Sequence, residues 1–213
     1  MERVARDAVA EDAREVAKLY YLAGKSHMET SIYDVMIAGR PGMTDGRIDA
    51  LAKLTVTEAP SWLSLSHYKV IEVDGKVASG LGTFTTEESG NRQLGQAMTE
   101  AGWRVKDMMS MGLRMRVWSS VDPGREHGFL IVENVATFEE YRGRGFSGEL
   151  LGLAIERARE GEFKGLQLNV MLGNDRAIRV YEKAGFKMEK TKESKKFKKA
   201  FSSPGAGRMM LRF

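Results

Sequence analysis

One short stretch of the chain places two arginines and a hydroxyl among glycines: Tyr141-Arg142-Gly143-Arg144-Gly145-Phe146-Ser147-Gly148. Glycine lets a backbone turn its N–H groups inward with no Cβ in the way. An apolar helical pattern follows at once. The free N–H groups and dipole of that helix's first turn make an anion site, and Arg142 and Arg144 bring positive charge to the same place. A phosphate or pyrophosphate is the natural ligand. A P-loop would need Gly-Lys-Ser/Thr after the glycines, and none follows. A G-x-G-x-x-G dinucleotide fingerprint is present at Gly143, Gly145 and Gly148, but the stretch from there to Phe213 is too short for the rest of a doubly wound domain. The next strand also lacks a terminal acid, since Val170 leads into Met171-Leu172-Gly173. A turn without a ligand leaves the two arginines unexplained.

Other chemistries are poorly supplied. The chain has no cysteine, so thiol nucleophiles, disulfides and thiolate-bound metals are out. Its histidines, His27, His67 and His127, share no metal-ligand spacing, and no metal is expected. No serine–histidine elbow is recognisable. The 213 residues carry Lys+Arg 33 against Asp+Glu 29, for a net charge of +4. Eight lysines lie between Lys183 and Lys199 with only Glu189 and Glu193 against them, so that segment alone exceeds the net charge of the chain. Such a segment is either a solvated strand and loop that lysine keeps from edge pairing or a dock for a polyanion such as RNA. With 42% hydrophobic and 29% charged residues the composition is that of a globular protein. No apolar run approaches a membrane span, and Met1-Glu2-Arg3 does not open a secretory signal pattern. The expected location is cytoplasmic, with no membrane partner.

The elements that must position the turn are legible in part. A helix is expected over residues 7–24, with Gly24 ending it in the left-handed conformation. Met28 to Ile37 suggests a second helix, stopped by Arg40-Pro41-Gly42, and a third runs from Asp45 to about Leu54. His67–Val73, the Asp74-Gly75 pair and Lys76–Thr85 read as a hairpin. Residues 86–127, with Met98, Met108, Met109, Met111 and Met115, break the pattern as an insertion. They form either a lid or substrate wall or a packed helical pair. A strand over His127–Thr137 leads into the turn, and Phe146, Leu150, Leu151, Ala154, Ile155 and Ala158 form one helical face. A strand at Leu166–Val170, a helix capped by Asn174 and ended by Gly185, and two strands around Ser203-Pro204-Gly205 complete a mixed α/β order.

The segment from Val135 to Ser147 resembles the acetyl-CoA motif of the GNAT superfamily of N-acetyltransferases, Arg/Gln-x-x-Gly-x-Gly/Ala at a strand-to-helix turn. Asn174 to Phe186, with Ala177, Tyr181-Glu182-Lys183 and Gly185-Phe186, is similar to that family's second signature. Ser147 departs from the usual Gly or Ala at the last motif position. The resemblance implies a single domain over 1–213. Its central sheet is mixed and mostly antiparallel, flanked by helices, with splayed fourth and fifth strands. Acetyl-CoA is the implied co-substrate, and a homodimer would fit.

The same resemblance implies roles for residues. Backbone amides from Arg142 through Gly143, Arg144, Gly145 and Phe146 to Ser147 would grip the pyrophosphate, and the pantetheine arm would pair along Val135, Ala136 and Thr137. Asn174 would hydrogen-bond the cofactor, its other role being the helix N-cap. Acyl transfer needs a neutral amine, and neutralising a lysine-like amine at pH 7 costs roughly 4–5 kcal/mol. Glu133 is the candidate general base, with His127 as the runner-up. An N–H near Val135 would stabilise the oxyanion, and Tyr181 would protonate the departing sulfur. These implications amount to direct acetyl transfer to an amine acceptor of unread identity. A non-catalytic acyl-CoA-binding module, and an acetyltransferase docked on RNA or the ribosome through residues 183–199, are the alternatives.

Overall fold

The computed structural model describes residues 2–39, 42–88 and 90–213. Seven strands form one sheet in the order β1-β2-β3-β4-β5-β7-β6. They are β1 (Arg3–Asp7), β2 (Tyr68–Val73), β3 (Lys76–Phe84), β4 (Leu130–Thr137), β5 (Gly165–Met171), β6 (Lys187–Glu193) and β7 (Gly205–Arg212). Every neighbouring pair is antiparallel except β4 with β5. That parallel pair is joined for only three residues, from Leu130 opposite Leu166 to Val132 opposite Leu168. Beyond Val132 the two strands part, which is the expected splay.

Helices cover both faces. On one side lie α1 (Ala13–Lys25), α2 (Ile32–Met36) and α3 (Asp45–Thr55). Val16, Tyr20, Ile48, Leu51 and Leu54 pack there on Tyr68 and Val70 of β2. On the other side α6 (Phe146–Glu160) lays Phe146, Leu150, Leu151, Ala154 and Ala158 onto Ile71, Leu81, Val132 and Leu168, the face read from its 3.6-residue period. The helix α7 (Asp175–Lys183) packs beside it. Side chains alternate across a strand, so β2 serves both cores.

Four expectations are corrected. The N-terminal helix starts at Ala13, not at residue 7, and the segment before it contains the edge strand β1. Arg3-Val4-Ala5-Arg6-Asp7 has almost no apolar alternation; backbone pairing with β2 and the bonds of Arg6 to Glu72 and Asp12 hold it. Gly24 does not end α1. It is buried within the helix, and a Cβ there would sit 2.6 Å from the Tyr33 ring; Ser26, at φ 55°, makes the exit. The strand expected from His127 begins at Leu130. The lysine-rich segment is not a strand and loop but β6 followed by a helix, α8 (Lys195–Phe201). Phe197 and Phe201, one helical turn apart, are buried with ring centroids 4.6 Å apart, while the lysines stay outside. Of the Arg40-Pro41-Gly42 stop, Arg40 and Pro41 lie outside the described residues.

Residues 86–127 hold two helices, α4 (Asn91–Glu100) and α5 (Val105–Ser119). Met98 of α4 is in the core, whereas α5 has no buried residue. The helix α4 packs as the helical-pair reading expects, while Met108, Met111 and Met115 of α5 line the cleft described below. Among the described residues no helix is long and apolar enough to cross a membrane.

Candidate active site

Where β4 and β5 part, a cleft of about 1480 Å³ opens and runs from the Arg142–Ser147 turn to α4 and α5. Its floor is an irregular stretch of β4. Gly82 of β3 faces Glu133 and Gly80 faces Ala136, so two residues, Asn134 and Val135, oppose Leu81 alone. This is a β-bulge, which bends a strand and re-aims its groups. Asn134 sits at φ 53°, a conformation Asn tolerates better than most residues. Two buried tyrosines hold it there. Tyr68 Oη donates to the Asn134 carbonyl at 2.7 Å, and Tyr33 Oη donates to Asn134 Oδ1 at 2.9 Å. Tyr20 packs edge-on against Tyr68 with centroids 4.9 Å apart. Burial drives all three phenols well up from their ordinary pKa. They are fixed neutral donors.

At one end of the cleft, Gly143 and Gly145 both take φ 81°, and nothing lies within 4 Å of where a Cβ would stand on either. Gly145 is the N-cap of the fifteen-residue α6. The N–H groups of Phe146, Ser147 and Gly148 in its first turn have no acceptor inside the helix. This open cradle with Arg142 and Arg144 exposed beside it fits a pyrophosphate. Arg142 differs from expectation in one respect: its N–H is used inside the turn, donating to the Glu139 carbonyl at 3.2 Å. The side chain of Phe146 is buried in the core under Arg3, leaving only its backbone to a ligand. The Ser147 hydroxyl lies 3.1 Å from Thr137 Oγ1, which in turn lies 2.8 Å from Ser79 Oγ. It thus ties the turn to β4. Val135, Ala136 and Thr137 line the cleft along the half of β4 that pairs with β3 but has left β5.

Asn174 caps α7, its Oδ1 accepting from the Ala177 N–H at 3.2 Å, and its Nδ2 donates to Ser26 Oγ at 2.7 Å. The cap expected from sequence is present, and the same side chain bridges to the end of α1. Tyr181 lies among Ala177, Ala184 and Phe186 yet also lines the cleft. Burial pushes its phenol up to about 12.

Glu133 lines the cleft from the start of the bulge, and its Oε1 accepts from Arg125 Nη2. Arg125 itself lies over the Phe84 ring, 5.2 Å from its centroid. His127 is elsewhere: exposed before β4 begins, its Nδ1 lies 2.9 Å from Thr86 Oγ1 and 3.2 Å from Glu87 Oε1. It is not among the cleft residues. The reading from sequence missed Arg125, Asn134, Tyr33 and Tyr68. The one available signal was an asparagine following Glu133 in a strand whose front half is apolar. No group of three or more His, Cys, Asp or Glu among the described residues is placed to hold a metal.

Residues 57–186 match the model of the acetyltransferase (GNAT) family. The chain belongs to the GNAT family. This GNAT chain also shares its fold with solved acetyltransferases. An N-acetyltransferase from Staphylococcus aureus Mu50 is 22% identical, with a TM-score of 0.69 over 98% of this chain and 100% of that one. The ribosomal-protein-S18-alanine N-acetyltransferase of Escherichia coli is 13% identical, TM-score 0.52, over 99% and 94%. The protein yncA of Salmonella typhimurium, solved with its cofactor acetyl-CoA, is 16% identical, TM-score 0.53, over 99% and 93%. A search of curated proteins finds no match to this GNAT sequence.

Proposed function

We propose that this chain transfers the acetyl group of acetyl-CoA directly to a primary amine. The observation that carries the reading is the opening between β4 and β5 beyond Val132 and Leu168, which runs from the open glycine cradle past Glu133 to Tyr181. The cofactor supplies an acyl group activated as a thioester. The chain would hold it through the α6 N-terminus, the N–H groups from Gly143 to Ser147, and the edge of Val135 to Thr137 that has parted from β5. A preformed cradle of N–H groups needs no reorganisation when an anion arrives.

Glu133 takes the amine proton, directly or through one water. Arg125 holds that carboxylate against the bulge and fixes its direction. The backbone of the bulge, braced by Tyr33 and Tyr68, supplies oriented dipoles beside it. Tyr181, kept protonated by burial, is the donor on the α7 side. Every role is filled without a covalent enzyme intermediate.

Thermal melting with acetyl-CoA, against NAD as control, tests the cofactor. A ligand at about 100 times its Kd adds roughly 2.7 kcal/mol of stability, which is several degrees for a chain of this size. A shift with acetyl-CoA and none with NAD is expected. No shift with acetyl-CoA would refute the reading of the turn.

A further inference from the structure

The proposed function leaves the acceptor open, and the far half of the cleft bears on it. Met36 of α2, Trp62 ahead of β2, Met98 of α4 and Met108, Met111 and Met115 of α5 line that half. Methionine and tryptophan offer polarizable surface that moulds to aryl and alkyl groups. Carboxylates facing this cleft are few. Glu133 is paired with Arg125, and Asp122 Oδ1 accepts from the Gly124 N–H at 2.9 Å. An acceptor with several ammonium groups would lose water here without matching partners.

Two glycines sharpen the point. Gly95 within α4 and Gly112 within α5 face the same cleft, and a Cβ at either would meet no atom within 4 Å. Glycine inside a helix is destabilising and is not chosen for the helix itself. Here both glycines leave room beside the methionine wall.

We infer that the acceptor is a primary monoamine with an apolar body, aryl or branched alkyl, seated between α2, α4 and α5 with its nitrogen toward Glu133. This rests on the acetyl-transfer reading.

The test compares 3-phenylpropylamine with spermidine and kanamycin, by CoA release and by quenching of the cleft tryptophans Trp62 and Trp118 in the presence of CoA. The apolar amine should show kcat/KM at least about tenfold above either polycation. Gly95→Leu and Gly112→Leu fill the room without a turn or a positive φ to disturb. Each should raise KM for 3-phenylpropylamine about tenfold while leaving the acetyl-CoA melting shift intact. Preference for spermidine or kanamycin, failure of the apolar amine to bind or react, or leucine variants with unchanged KM would overturn the inference while acetyl-CoA still binds. Loss of the acetyl-CoA shift in the parent protein would instead refute the acetyl-transfer reading beneath it.

Discussion

Glu133 and Tyr181 face one cleft in opposite electrostatic settings. Glu133 is partly exposed and paired with Arg125, which fixes its direction. Glu133→Gln keeps the shape and removes the proposed proton acceptor. It should lower kcat about 10²-fold or more and leave the acetyl-CoA melting shift unchanged, as steady-state kinetics beside a melting series would reveal. Tyr181 is buried, and its phenol is pushed up to about 12. Tyr181→Phe should lower kcat by about 10²-fold with little change in the fold. The raised pKa also fixes a sign. Folding favours the protonated phenol, so its contribution to stability is complete below the unfolded pKa of about 10 and is lost as pH rises toward 12. A kcat–pH profile of the parent protein should therefore show no alkaline limb from Tyr181 below about pH 11; a Tyr181-dependent limb near pH 9 would contradict its role as a neutral donor.

The elements that wall the cleft are held by few bonds, each traceable to a residue. The helix α5 buries none of its side chains, but Arg114 donates from Nε to the Val35 carbonyl at 2.7 Å and from Nη2 to the Met36 carbonyl at 3.1 Å. It thereby satisfies carbonyls at the end of α2 and joins α2 to α5. Arg114→Met should raise KM for the amine about tenfold, because small misplacements of a positioning wall are costly. The acetyl-CoA shift should be unaffected. On the other side of α2, Arg47 and Asp34 form a buried ion pair at 3.0 Å. Asp34 also accepts from the N–H groups of Ser31 and Gly42. Arg47→Met leaves that carboxylate without its cation and should cost about 3–5 kcal/mol, measurable by urea unfolding. Periodicity made α6 legible, because one apolar face decides it, and the Asp74-Gly75 pair between two β-rich runs made the β2–β3 hairpin legible. The strand β1 was not, since backbone pairing and Arg6 hold it rather than apolar burial. The glycine at position 24 misled for a related reason. The absence of a Cβ serves a left-handed turn and a close ring contact equally, and only the Tyr33 ring distinguishes them. The turn at Arg142–Ser147 was legible because a backbone anion site needs glycine. The bulge at Asn134 was not, because tyrosines distant in sequence create it.

At the scale of the molecule, two cores on opposite faces of one sheet meet at the seam where β4 leaves β5. Short parallel pairing there, from Leu130 to Val132, lets the cleft run into the sheet without a missing strand. The lysines of β6 lie on the outermost strand, and charge at such an edge opposes pairing with another chain. On the proposed reading, a sheet opened in this way takes one co-substrate between its strands and another beneath α4 and α5. The direct test is release of CoA thiol from acetyl-CoA, followed with and without 3-phenylpropylamine and paired with mass detection of the acetylated amine. Amine-dependent release, with one acetyl group appearing on the amine for each thiol freed, is the predicted result. Acetyl-CoA that binds and yet releases no thiol with any primary amine would contradict it, and would make the chain an acyl-CoA-binding module instead.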